Sequence, residues 1–242
     1  MSLFSKFPLF ALLALPLVGQ AQATSTDLGR DLNGNFNNGY SLIPPDDNLL
    51  RESTGLLAGW VPASVLLAGN KTPTVVPLKY DLYRQELRVR RAKGDSVVVP
   101  LSRVQEFTLQ PAATNARRFV CYPAASLPPE AGGGCGEALT SGTQLQLLKF
   151  WKKTVVKRPG ESNSYASNTS VSHLEDQTAY YLRWADGRFV PVRLKRASLE
   201  QALAGQPAAL AALKARKGNL GSEADMAAAL LALDPLLTAP AK

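Results

Sequence analysis

The sequence predicts an α+β protein: an antiparallel β-meander or partly open barrel capped by two or three short C-terminal helices. Three observations carry that expectation. Residues 74–109 alternate apolar and polar side chains in short runs broken by turn residues, the pattern of strands with one face buried. Residues 178–194 repeat the alternation on either side of Asp186-Gly187. From residue 196 onward Ala and Leu recur at helical spacing behind capping signals.

At the N-terminus, Lys6, the apolar run Phe7–Val18 and Ala21-Gln22-Ala23 have the form of an export signal with its cleavage site. The run is short of the ~20 apolar residues a spanning helix needs, and Pro8 and Pro16 interrupt it. The expected organisation is a signal peptide over 1–23, a poorly ordered leader over 24–54, a β-rich domain over 55–195 and a helical tail over 196–236 docked on the sheet. No later run is long enough to span a bilayer, so the mature chain is expected to be soluble, exported and periplasmic or extracellular.

The leader is rich in Asn, Gly, Asp and Pro, which disfavours helix and central strand alike. Strands are expected from Gly59-Trp60-Val61 to Leu67 and from Thr74 to Leu78, with Gly69-Asn70-Lys71 turning between them. Pro62, Pro73 and Pro77 cannot donate to a ladder and so suggest edges or short runs. Tyr80 and Leu82, then Leu87 and Val89, are set to share a buried face while Arg88 and Arg90 point away. Lys93-Gly94-Asp95 reads as a turn, Val97–Val99 as a short strand, and Val104, Phe107 and Leu109 as the next.

Between Gln110 and Gly142 composition shifts to Ala, Pro and Gly, and only Arg118–Tyr122 has strand character. The two cysteines, Cys121 and Cys135, enclose this segment. In an oxidising compartment they are expected to pair, closing a loop of about 15 residues worth ~3 kcal/mol in the chain-entropy model. A metal site would need more than two distant thiols and His173, without the close ligand spacing such sites show.

Residues 143–157 return to strand, with a slip near Leu147-Leu148 that suggests a bulge or bend, and a polar loop follows to about Gln177. In the next hairpin a two-residue type I′ turn at Asp186-Gly187 would pair Trp184 with Phe189 and Leu182 with Pro191 on one face. Tyr181, Arg183, Val190 and Val192 would occupy the other. Both faces are apolar, so the tail covers the second face or that face lines a ligand groove. In the tail, Ser198 with Gln201 and Ser222 with Asp225 are capping patterns, and Pro207 suits a first helical position.

No catalytic, cofactor or metal-ligand motif is present: there is no nucleophile elbow, no H-E-x-x-H, no phosphate loop and no dinucleotide fingerprint. Lys149-Phe150-Trp151-Lys152-Lys153 interleaves cations with aromatics, which suits stacking on sugars or bases beside anionic groups. A scaffold reading competes, with the lysines guarding a strand edge. Candidate binding residues are Lys149, Trp151, Lys153, Tyr181 and Arg183. The chain carries a net charge of +8, which favours contact with anionic surfaces such as lipid head groups, acidic polysaccharides or nucleic acid. The expected partner is an anionic envelope component, lipid or glycan, and not nucleic acid. Asn168-Thr169-Ser170 matches a glycosylation sequon.

The segments VPLKYDLYRQEL (Val76–Leu87), VQEFTL (Val104–Leu109), LLKFWKKTVV (Leu147–Val156) and AYYLRWADGRFVPVRLKR (Ala179–Arg196), with the helical tail, form a pattern. It resembles a group of uncharacterised exported proteins of Bacteroidetes-type bacteria, over roughly Gly59 to Leu233. The resemblance implies an envelope address and carries no activity or site residues. The expectation is a non-catalytic binding or interaction protein; the alternative is an envelope hydrolase acting on glycans or peptides, built from carboxylates such as Glu86, Glu106 and Asp81 or from His173.

Overall fold

A computed structural model describes residues 53–110, 116–131, 134–157 and 172–238. The expected signal peptide, nearly all of the leader and the sequon lie outside them. Ten strands form one antiparallel sheet: β1 (Val61–Leu67), β2 (Thr74–Asp81), β3 (Glu86–Arg90), β4 (Ser96–Val99), β5 (Val104–Leu109), β6 (Arg117–Cys121), β7 (Cys135–Ala138), β8 (Leu145–Lys157), β9 (Ser172–Trp184) and β10 (Phe189–Val192). Their spatial order is β10-β9-β8-β7-β6-β5-β1-β2-β3-β4. Helices α1 (Arg196–Ala202), α2 (Pro207–Ala215) and α3 (Glu223–Leu233) complete an α+β fold with an open, curled meander.

Alternation decides what the sheet encloses. Val65, Val76, Leu78, Tyr80, Leu87, Val89 and Phe107 are all nearly inaccessible and share the inner face. Phe107 stacks on Phe119 at 4.8 Å with an interplanar angle of 3°, and Tyr80 meets both rings edge-on. Around this core the sheet curls until the β2–β3 turn reaches β8. There the Lys153 N–H donates to the Leu82 carbonyl at 3.2 Å, and Gln85 Nε2 donates to the Trp151 carbonyl at 3.1 Å.

Pro62 and Pro77 lie in interior strands of seven and eight residues, contrary to the edges or short runs expected of them. They sit directly opposite each other. The β1–β5 ladder starts only at Ala63 and the β2–β3 ladder only at Leu78, so the missing N–H groups fall just outside the neighbouring ladders.

The hairpin register also differs from expectation. Asp186 does not have the positive φ that a type I′ turn requires; only Gly187 does, at φ 90°. Gly187 N–H closes a turn on the Trp184 carbonyl, and Trp184 N–H returns to the Arg188 carbonyl. The loop therefore holds three residues, which moves β10 by one position: Phe189 opposes Arg183 and Val190 opposes Leu182. A one-residue slip exchanges the two faces of β10, placing Val190 and Val192 with Leu182 and Tyr180.

Both faces of this end of the sheet are covered, each by a different device. The helices cover the inner face, where Leu145, Leu147, Leu182 and Trp184 pack with Leu199, Leu203, Leu213, Met226 and Leu230. The chain between the two cysteines covers the outer face, setting Ala131, Leu127 and Tyr122 against Leu148, Phe150 and Tyr181. Cys121 and Cys135 are directly opposed in β6 and β7 and joined by the expected disulfide, Cα to Cα 3.9 Å.

Other expectations are corrected by the same geometry. The β8–β9 ladder runs unbroken through thirteen pairs, with no bulge at Leu147-Leu148. The two leucines are both buried because each faces a different cover. Strand β9 begins at Ser172, so His173 lies in a strand opposite Val156 rather than in a polar loop. Strand β7 was not expected at all, since CGEA is short and poor in strand formers. Ser222 caps α3 by accepting from Asp225 N–H, whereas Ser198 accepts from Arg193 N–H and does not cap α1.

Candidate binding groove

Where the two apolar cores meet on the inner face, the sheet carries a seam of charge. Arg117 donates to both oxygens of Glu137 at 2.7 Å, and Trp151 Nε1–H donates to the same carboxylate at 2.7 Å. One strand further on, Lys149 Nζ and the Tyr180 hydroxyl both donate to Glu223 Oε1 at 2.6 Å. The pairing Glu137↔Lys149↔Tyr180 puts these groups side by side, and Glu223 reaches them from the first turn of α3, where a carboxylate also suits the helix dipole.

Each partner shifts the others. Burial alone would raise the Glu223 carboxyl, but the hydrogen bonds from Lys149 and Tyr180 and the nearby ammonium outweigh it and hold it below the usual carboxylate range. Desolvation, then the hydrogen bond to Glu223, pushes the Tyr180 hydroxyl up to about 12. Both seam carboxylates are thus held by cations, an arrangement that suits a structural tie.

The five candidate residues do not converge. Lys149 and Trp151 belong to the seam, and the Trp151 ring carries the Lys149 ammonium 3.8 Å from its centroid and the Arg117 guanidinium at 5.1 Å. Lys153 donates to the Ser53 carbonyl at 2.9 Å and lies 3.3 Å from Asp176. Tyr181 and Arg183 face the other way. Tyr181 is buried against Phe150, edge to face at 5.6 Å, and Arg183 sits over Tyr122 at 5.3 Å. Glu86 and Asp81 both pair with Arg88, and Glu106 pairs with Arg118. His173 lies 3.5 Å from Glu175.

A groove of about 910 Å³ opens instead where β10 ends, along β9 and α1. Its walls include Tyr180, Val192, Arg193, Lys195, Ser198 and Gln201. Strand β10 is four residues long against thirteen for β9, so past Val192 the chain turns off into α1 and leaves a step at Thr178 and Ala179. Arg193 and Lys195 are exposed, and no carboxylate among the described residues pairs with either. Hydroxyl, amide, aromatic and cationic groups therefore share one concave surface, the mixture that orients a polar anionic ligand.

The sequence pointed to Lys149, Trp151, Lys153, Tyr181 and Arg183, of which only Tyr181 lines the groove, and gave no weight to Tyr180, Arg193, Lys195 or Ser198. The signal available was the basic run Val192–Arg196 between a strand end and a helix start. The chain matches no family model, no curated protein and no solved structure.

Proposed function

We propose that this chain is an exported, non-catalytic binding protein of the bacterial envelope whose groove holds a segment of acidic glycan. The observation that carries this reading is the groove beside β10 and α1, with two exposed cations at its rim and Tyr180, Ser198 and Gln201 among its walls. A carboxylated sugar chain offers negative charge to Arg193 and Lys195, hydroxyls to Ser198 and Gln201, and an apolar ring face to Tyr180. The signal-like N-terminus, the disulfide and the resemblance to exported envelope proteins support the address.

Titration calorimetry of the full chain with oligogalacturonate, against a neutral glucan oligomer, tests the proposal. Binding of the acidic oligomer only, weakened about tenfold or more in R193Q/K195Q through loss of two charge contacts, supports it. Equal binding by that variant sinks it. New reducing ends appearing on incubation would turn the reading to a hydrolase.

A further inference from the structure

A second surface lies on the outward face of the sheet along β1–β3, shares no residue with the groove and has no part in the core. Along β2, Val76, Leu78 and Tyr80 face inward, so Val75, Pro77 and Lys79 face outward. The register sets Ser64 opposite Val75, Pro62 opposite Pro77 and Arg88 opposite Lys79. Val75 is 72% exposed, the largest value among the exposed large hydrophobics of the described residues. Trp60 lies beside this row with the Lys79 ammonium 5.1 Å and the Arg90 guanidinium 5.7 Å from its ring centroid. Arg88 is neutralised by Asp81 and Glu86, but no carboxylate among the described residues pairs with Lys79 or Arg90.

We infer that this outward face of β1–β3 docks on an anionic phospholipid surface. The patch combines exposed Val75, Pro62 and Pro77, an indole and two uncommitted cations, which is the composition that partitions into the headgroup region of a negatively charged bilayer. Its shape selects the partner. The face is convex because the sheet curls toward the opposite side, so it cannot enclose a sugar chain, yet it can rest on a broad, nearly flat surface. Val75 and the two prolines offer no donor to glycan hydroxyls. The inference does not depend on the groove: it would place the protein on the membrane surface whatever the groove holds.

The test is sedimentation of the full chain with phosphatidylcholine vesicles with and without phosphatidylglycerol, comparing wild type, K79Q/R90Q, V75N and R193Q/K195Q. Every variant keeps the N-terminal apolar run, so its contribution cancels, and thermal melts check folding. Binding that requires phosphatidylglycerol, weakened about twenty-fivefold in K79Q/R90Q at roughly fivefold per charge, is the expected result. V75N should also weaken it, while R193Q/K195Q should stay within about twofold of wild type. Unchanged binding by folded K79Q/R90Q, or a loss in R193Q/K195Q as large as in K79Q/R90Q, would overturn the inference, as would binding to polygalacturonate through the patch without any binding to vesicles.

Discussion

Lys149 Nζ lies 2.6 Å from Glu223 Oε1, and that contact ties the middle of β8 to the first turn of α3. The ammonium is nearly buried while the carboxylate is 38% exposed on its side chain. Neutralising the carboxylate therefore strands a nearly buried cation, and leaves the Tyr180 hydroxyl a neutral amide oxygen in place of a charged acceptor. E223Q should lower stability by about 1–2 kcal/mol, less than breaking a fully buried pair. Urea denaturation measures it, and K149M/E223Q should be less damaging than the sum of the single changes because no orphaned charge remains.

The pH dependence follows from the same groups. Glu223 and Asp234 both sit below their ordinary values of 4.5 and 3.8. Burial would raise each, but for Asp234 the N–H groups of Thr143, Leu145 and Gln144 outweigh it. Groups depressed in the fold add stability that is full above those ordinary values and is lost as pH falls through the folded ones. Tyr180 has the opposite sign: its contribution is full below its ordinary value of 10.0 and is lost as pH rises toward about 12. Denaturation midpoints across pH should show an acid limb flattened by D234N and E223Q and an alkaline limb flattened by Y180F.

The disulfide holds the cover over Phe150 and Tyr181, so its loss should do more than lengthen a loop. Reduction, or C121S/C135S, should cost ~3 kcal/mol from the loop closure alone. It should also raise binding of a hydrophobic dye as Leu127 and Ala131 lift from the outer face. A dye signal equal to that of the oxidised protein would show that the loop packs without its crosslink.

Gly136 is required by a close approach. A Cβ there would meet Phe150 Cζ at 2.9 Å and Cε2 at 3.0 Å. The Phe150 ring is hemmed in by Tyr181 and Phe189 and cannot retreat freely. G136A should cost about 1–3 kcal/mol through overpacking. In the F150L background the same change should cost much less, a difference that paired thermal melts would resolve.

Strands with one covered face were legible because their alternation had a single cause: Tyr80, Leu82, Leu87 and Val89 all turn inward as their spacing implied. Strands covered on both faces were not. Leu147-Leu148 suggests an irregularity in sequence but is a regular strand between two covers. The face of β10 hinged on one turn residue, because Asp186-Gly187 fits a two-residue or a three-residue loop and the choice reverses Phe189 and Val190. The candidate site was harder still. Lys149 and Trp151 carried the right chemistry, but their partners Glu137 and Glu223 lie on distant parts of the chain, and only the fold shows that they are already engaged. The groove arises where a short strand ends beside a long one, a length difference that no motif records.

Amide hydrogen exchange of the full chain, with and without oligogalacturonate, tests the binding account most directly. Protection confined to residues 178–181 and 191–201 in the wild type, and absent in R193Q/K195Q, is the predicted result. Protection centred on Lys149–Lys153, or no change in the groove despite measurable binding, would contradict it.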